Sequence, residues 1–166
     1  NSYNSQWAST SVFYGDDGND YGWINNIYNS EFSGGSGEDN LNIEHFLSGT
    51  ISGGEDEDYL SGRYGGNISL SGDDGNDTIE LLNLKDYGPV YGGSGNDSID
   101  TSNANYVQEI WGESGDDIII GNPGADNISD SEFVINQTDL KFAKEEPGQT
   151  EEVTNKKENI SIVYHF

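Results

Sequence analysis

Apolar positions recur along this chain at a fixed interval instead of gathering into long runs. Phe13, Phe32, Ile51, Leu70, Val90 and Ile110 form one series, and Leu41, Leu60, Ile79, Ile99, Ile119 and Ile128 form a second. Within each series the step is 19 or 20 residues, except for a final step of nine from Ile119 to Ile128. Around these positions apolar and polar residues alternate over short stretches, the period of a half-buried strand and not of a helix. The pattern therefore predicts two short strands per repeat, stacked into a flattened coil of about six turns rising roughly 4.8 Å per turn. Each series becomes an internal ladder. Residues one step beyond the first series, Tyr14, Ser33, Ser52, Ser71, Tyr91 and Trp111, are expected to point outward.

A single loop motif separates the two series and occurs seven times, starting at Gly15, Gly34, Gly53, Gly72, Gly92, Gly112 and Gly121. The copies read GDDGNDYG, GGSGEDNL, GGEDEDYL, GDDGNDTI, GGSGNDSI, GESGDDII and GNPGADNI. All seven keep the first Gly and the sixth-position Asp, and six keep the fourth-position Gly, with Asp56 in the remaining copy. The eighth position is apolar in every copy but the first, where Gly22 stands. Glycine admits left-handed backbone angles and lets carbonyl oxygens turn toward a common point, and Asp adds a hard anionic oxygen. Hard oxygen donors of this kind suit calcium.

Stacking the loops would place Asp20, Asp39, Asp58, Asp77, Asp97 and Asp117 in single file, roughly 5 Å apart. Neighbouring charges at that distance repel by roughly 0.8 kcal/mol even in water, and by more when desolvated. A divalent ion between turns reverses the sign. Six stacked loops leave five gaps, so about five Ca2+ ions are expected, each taking carboxylate and carbonyl oxygens from two successive turns. Magnesium, which prefers a tight octahedron with retained waters, fits less well. A plain acidic edge without ions is the simpler alternative.

Composition points the same way. The 166 residues carry 31 acidic and 6 basic side chains, a net charge of −25, and only 31% are hydrophobic, which implies a thin core and a need for counter-ions. Five divalent ions carry about ten positive charges and would leave about −15. Such acidity argues against nucleic acid and anionic membrane surfaces, both of which are held through Lys and Arg. An aromatic content of 11% argues against a disordered acidic linker. With no Cys, disulfides and cysteine-ligated zinc are excluded. No apolar run is long enough for a membrane span, and the start at Asn1 reads as a mature or excised piece. No enzyme is expected: His45 and His165 are the only histidines, and no metalloprotease helix motif, nucleophile elbow or phosphate loop is found. His45 reads as a surface or packing residue.

The loop motif matches the nonapeptide G-G-x-G-x-D-x-U-x, and in this the chain resembles the RTX (repeats-in-toxin) family of calcium-binding repeats. The resemblance implies an all-β fold, a right-handed parallel β-roll or β-solenoid. It also implies calcium held by the loops at Gly15, Gly34, Gly53, Gly72, Gly92 and Gly112 with their aspartates. In that family two nonapeptides make one turn, with calcium on both edges. Here the 19–20-residue step leaves one such loop per turn, and the second halves, such as INNIYNSEFS and IEHFLSGTIS, repeat no Asp. Calcium is thus expected along one edge only, with the loop at Gly121 closing the last turn on the opposite edge. The resemblance further implies folding on meeting calcium outside the cell, type I secretion, and an extracellular or cell-surface location.

The expected organisation is an N-terminal strand or cap over 1–14, the calcium roll over 15–129 and a β cap over 130–142. A polar linker is expected over 143–159 and a C-terminal strand over 160–166. The cap rests on FVIN at 133–136 and DLKF at 139–142. The last segment, ISIVYHF, has three readings: a strand closing the cap, a strand donated to the next subunit of a homopolymer, or a secretion signal. The leading function is a structural block of an extracellular filament, surface layer or adhesin, with lateral contacts through Trp7, Trp23, Tyr91 and Trp111. The alternatives are a ligand-binding module or a C-terminal secretion and folding block of an RTX toxin or enzyme. For the former, carbohydrate is possible, because Trp and Tyr stack on sugars. Ice is disfavoured, because the third loop positions, Asp17, Ser36, Glu55, Asp74, Ser94 and Ser114, form no flat Thr row. A toxin block would carry nine-residue repeats on both edges. Sequons stand at Asn67, Asn127, Asn136 and Asn159.

Overall fold

The computed structural model describes residues 2–5, 8–9, 12–83, 88–104, 109–121, 127–129, 134–135, 150–155 and 160–165. Side chains are described for residue 2 and over 12–26, 28–83, 88–104 and 109–121. Every element among them is a strand. An opening part-coil contains β1 (Ser2–Ser5), β2 (Ala8–Ser9) and β3 (Val12–Tyr14). Five complete two-strand coils follow. They are β4 (Tyr21–Tyr28) with β5 (Ser30–Ser36), β6 (Asn40–Phe46) with β7 (Gly49–Glu55), β8 (Tyr59–Arg63) with β9 (Ile68–Asp74), β10 (Thr78–Leu82) with β11 (Val90–Ser94), and β12 (Ser98–Asn103) with β13 (Glu109–Ser114). After β14 (Ile118–Gly121) and β15 (Asn127–Ser129) come β16 (Val134–Ile135), β17 (Thr150–Asn155) and β18 (Ile160–His165).

The coils stack into two sheets, giving a parallel β-solenoid. The first runs β1-β4-β6-β8-β10-β12-β14-β18-β17, with β2 also paired to β4, and the second runs β16-β15-β13-β11-β9-β7-β5-β3. All pairings are parallel except β15 with β16 and β17 with β18. The parallel coil expected from the pattern is present, with five complete turns and a part-coil at each end in place of about six turns.

Both ladders are in register. Phe13 pairs with Phe32, Phe32 with Ile51, Ile51 with Leu70, Leu70 with Val90 and Val90 with Ile110. The rings of Phe13 and Phe32 stack at 4.9 Å. In the first sheet Leu41, Leu60, Ile79, Ile99 and Ile119 align, and all are buried. Ile128 pairs with Ile110 and so belongs to the second sheet. The nine-residue step into it is half a turn, which moves the chain from one sheet to the other. The seventh loop itself, at 122–126, lies outside the described residues.

A further internal row adds to the core. Ile24, Ile43, Gly62 and Leu81 align in the first sheet, where strand alternation turns every second residue inward. At Gly62 the missing side chain is replaced from a neighbouring coil. The Phe46 ring is buried there, and a Cβ at Gly65 would overlap it. The repeat lengthens to 20 residues on the edge away from the loops, because Leu82 still pairs with Arg63, 19 residues earlier, whereas Val90 pairs with Leu70, 20 residues earlier. The loop edge keeps its spacing.

The edge without repeated Asp also turns regularly. Asn26, His45, Tyr64 and Asn83, each 19 residues after the last, all hold left-handed angles, with φ of 60°, 53°, 54° and 54°. His45 and Tyr64 stack at 5.2 Å. His45 is therefore a turn residue on an exposed edge.

At the C-terminal end the structure differs from composition. Thr150–Asn155, inside the polar stretch read as a linker, is strand β17, paired antiparallel with β18. Its order comes from pairing with β18, and a polar sequence without apolar alternation carries no sign of that. β18 pairs in parallel with β14 of the same chain, Ile119 facing Ile162. Of the expected cap, β16 pairs with β15, while the DLKF segment and Trp7 lie outside the described residues.

Candidate metal edge

Each loop from Gly15 to Gly112 enters from a strand of the second sheet and turns two backbone positions into left-handed angles. These are the second and fourth positions of the motif. The second is filled by Asp16, Gly35, Gly54, Asp73, Gly93 and Glu113, with φ between 68° and 130°. The fourth is filled by Gly18, Gly37, Asp56, Gly75, Gly95 and Gly115, with φ between 79° and 153°. The first glycine is not among them. It is required for space: a Cβ at Gly34, Gly53, Gly72 or Gly92 would overlap Oδ2 of its own loop's aspartate and press on the carbonyl of the first glycine one coil on.

The six predicted aspartates come together as one file. Asp20, Asp39, Asp58, Asp77, Asp97 and Asp117 are each at most 4% exposed. Backbone N–H groups stitch the file together. Asp20 donates to Oδ1 of Asp39 at 2.7 Å and Asp39 to Asp58 at 2.7 Å. Asp58 donates to Asp77, Asp77 to Asp97 and Asp97 to Asp117, each at 2.8 Å. The residue after each aspartate then donates back to the aspartate carbonyl one coil earlier, as Thr78 does to Asp58 at 2.8 Å. One carboxylate oxygen is spent in this ladder. Oδ2 of Asp39, Asp58, Asp77 and Asp97 is buried without a hydrogen-bond partner, a costly state for an anion.

Electrostatics record that cost. Burial, reinforced by neighbouring carboxylates and opposed by the backbone N–H bond, pushes Asp58 up to about 7. The same causes raise Asp97 to about 7 and Asp77 to about 6, and lift Asp39 above the ordinary carboxylate range. Among the described residues no three acidic or histidine side chains converge on one point. A cation seated here would take the Asp oxygens together with backbone carbonyls, a hard all-oxygen donor set that suits calcium and not zinc. The buried, unpartnered Oδ2 atoms fit such an ion.

Fifth-position side chains form an outer ladder that the sequence reading missed. Asn19 Oδ1 accepts from the backbone of Glu38 at 3.2 Å, Asn76 Oδ1 from Asn96 at 2.8 Å and Asn96 Oδ1 from Asp116 at 2.8 Å. The signal was present in the recurring G-N-D of three loops, where Asn is the residue whose short amide best caps a neighbouring loop N–H. Serines at the third position brace the rim, Ser36 donating to Asp17 at 3.1 Å and Ser94 to Asp74.

Stacked parallel coils with one file of buried loop aspartates define a β-roll. The family model of the RTX calcium-binding nonapeptide repeat matches residues 90–106 and 109–129, so the chain carries RTX repeats over that stretch. The match covers the last two complete Asp loops and the seventh. RTX repeats are a structural, calcium-binding element typical of secreted proteins. No curated protein and no solved structure matches the chain.

Proposed function

We propose that this chain is a secreted, calcium-dependent structural protein, a β-roll building block of an extracellular filament, surface layer or adhesin. The file of buried aspartates carries the reading, because four central carboxylates each keep a buried oxygen that no protein group serves. Asp20, Asp39, Asp58, Asp77, Asp97 and Asp117 supply the anionic oxygens. The loops beginning at Gly15, Gly34, Gly53, Gly72, Gly92 and Gly112 supply carbonyl oxygens. Ca2+ sits between successive loops, about five ions in all. Residues 15–129 are the calcium-binding unit.

Folding then follows calcium. In a low-calcium cytoplasm the repelling aspartates keep the chain open for export, by a type I route, and outside the cell the roll closes. Self-association proceeds end to end, since a solenoid presents its terminal coils as ready templates for a further copy. Negative-stain electron microscopy in millimolar calcium and again after chelation tests this role. Calcium-dependent filaments or sheets are expected, and dispersed particles in both states would remove the polymer and leave a monomeric module.

A further inference from the structure

The outer face of the first sheet carries a groove of a different character from the acidic loop edge. It is lined by Tyr21 and Trp23 of β4, Asn42 and Glu44 of β6, and Ser61 and Arg63 of β8. Register explains the grouping: Trp23, Asn42 and Ser61 lie in one transverse row, and Glu44 and Arg63 pair in the next. Rows advance by roughly 4.8 Å from coil to coil, so the groove runs across three coils. Tyr21 and Trp23 are 50% and 45% exposed, two residues apart on the same face. The core does not use these rings.

We propose that this groove is a binding subsite for a neutral, β-linked pyranose chain. A pyranose with equatorial hydroxyls presents flat C–H faces, which the rings of Trp23 and Tyr21 can cover, and a rim of hydroxyls. Asn42, Glu44 and Arg63 offer both donors and acceptors to that rim, above the buried Ser61 of the floor. Arg63 is the one basic side chain among the residues whose side chains are described, and it stands in this groove. It brings five N–H donors in a rigid fork. A polyanionic chain is selected against by the net charge of −25, and a purely apolar partner by the four polar side chains of the floor and rim. The groove is built on the folded roll, so the site rests on the calcium-dependent fold proposed above.

Cellohexaose, chitohexaose and β-1,4-mannohexaose titrated into the calcium-loaded full chain provide the test, followed by calorimetry and tryptophan fluorescence. At least one of the three is expected to bind. Trp23→Ala and Arg63→Ala should each weaken it by about tenfold or more, the loss of one stacking face or one charged hydrogen-bond set. Circular dichroism of the same samples separates a chain that has not folded from a folded chain that does not bind. Absence of binding by the folded wild-type chain, or binding that both folded variants retain, would overturn the proposal.

Discussion

At the scale of single residues, the loop motif combines three demands that glycine and aspartate meet for different reasons. The first glycine leaves room for its own loop's carboxylate, so Gly72→Ala should be far more disruptive than a surface substitution. Its Cβ would overlap Asp77 Oδ2 and press on the Gly92 carbonyl, and neither a buried carboxylate nor a backbone oxygen can easily retreat. Thermal unfolding in calcium should drop steeply, whereas Gly18→Ala, where a Cβ meets nothing and only the left-handed angle resists, should cost about 1 kcal/mol. Asp77→Ala removes the acceptor for the Asp58 N–H as well as an anionic oxygen. Calcium titration of that variant should show weaker and less cooperative binding, and an unchanged isotherm would mean that the aspartate file holds no ion.

The raised proton affinities of these aspartates also set a pH dependence. Asp58, Asp77 and Asp97 hold protons up to about 7, 6 and 7 in the metal-free roll, against an ordinary value of 3.8. Protonation therefore favours the metal-free fold. Their contribution is complete below about pH 4 and is lost as pH rises through 6 to 7. Without calcium, chemical denaturation should show a roll more stable at pH 5 than at pH 8. With calcium the trend reverses, because ligand carboxylates must ionise, so affinity should fall below about pH 7 and binding near pH 6.5 should release protons. Calorimetry in buffers of different ionisation enthalpy measures that release.

At the scale of elements, strands are held less by their own length than by stacking. Each ladder residue touches its equivalents one coil before and one coil after, which turns an isolated five-residue strand into part of a continuous core. Ile79→Ala, fully buried at the centre of the first sheet, should cost about 2–5 kcal/mol. Phe46→Ala should cost about 3–5 kcal/mol, because the buried ring fills the space beside Gly62 and Gly65. Both ladders and the aspartate file were legible in the sequence because one spacing, 19 or 20 residues, governs them all. The Ile24–Ile43–Leu81 row was harder to see, since Gly62 interrupts it and a side chain from the neighbouring strand supplies the missing volume. The plain edge hid its regularity too. Its left-handed positions carry Asn, His, Tyr and Asn, so geometry repeats there without residue identity. Likewise the second loop position is left-handed in all six loops, yet Asp16, Asp73 and Glu113 conceal it by standing where glycine is the easier choice. Strand β17 was illegible for a different reason: it is polar and borrows its order from the apolar β18 beside it.

At the scale of the whole molecule, charge and end-closure dominate. A net charge of −25 on a thin roll opposes compaction at neutral pH, and cations bound along the loop edge would offset part of it. The terminal strand β18 extends the first sheet beyond β14 and is itself covered by β17, which leaves the end of that sheet antiparallel and polar. Deleting residues 160–166 should therefore uncover the edge of β14, lower the stability of the calcium-loaded roll and promote aggregation through that edge. Size-exclusion chromatography would register this. A truncated chain that loses ordered filaments yet stays folded and dispersed would instead show the segment to be donated between copies.

The most direct test of a calcium-built roll is far-UV circular dichroism of the full chain during calcium titration at pH 7.5, with chelator added at the end point. The calcium-free chain should be largely unfolded, acquire β structure cooperatively as calcium rises and lose it again on chelation. A β spectrum that is unchanged from chelator to millimolar calcium would contradict the account, because the aspartate file would then be stable at neutral pH without the ions proposed to occupy it.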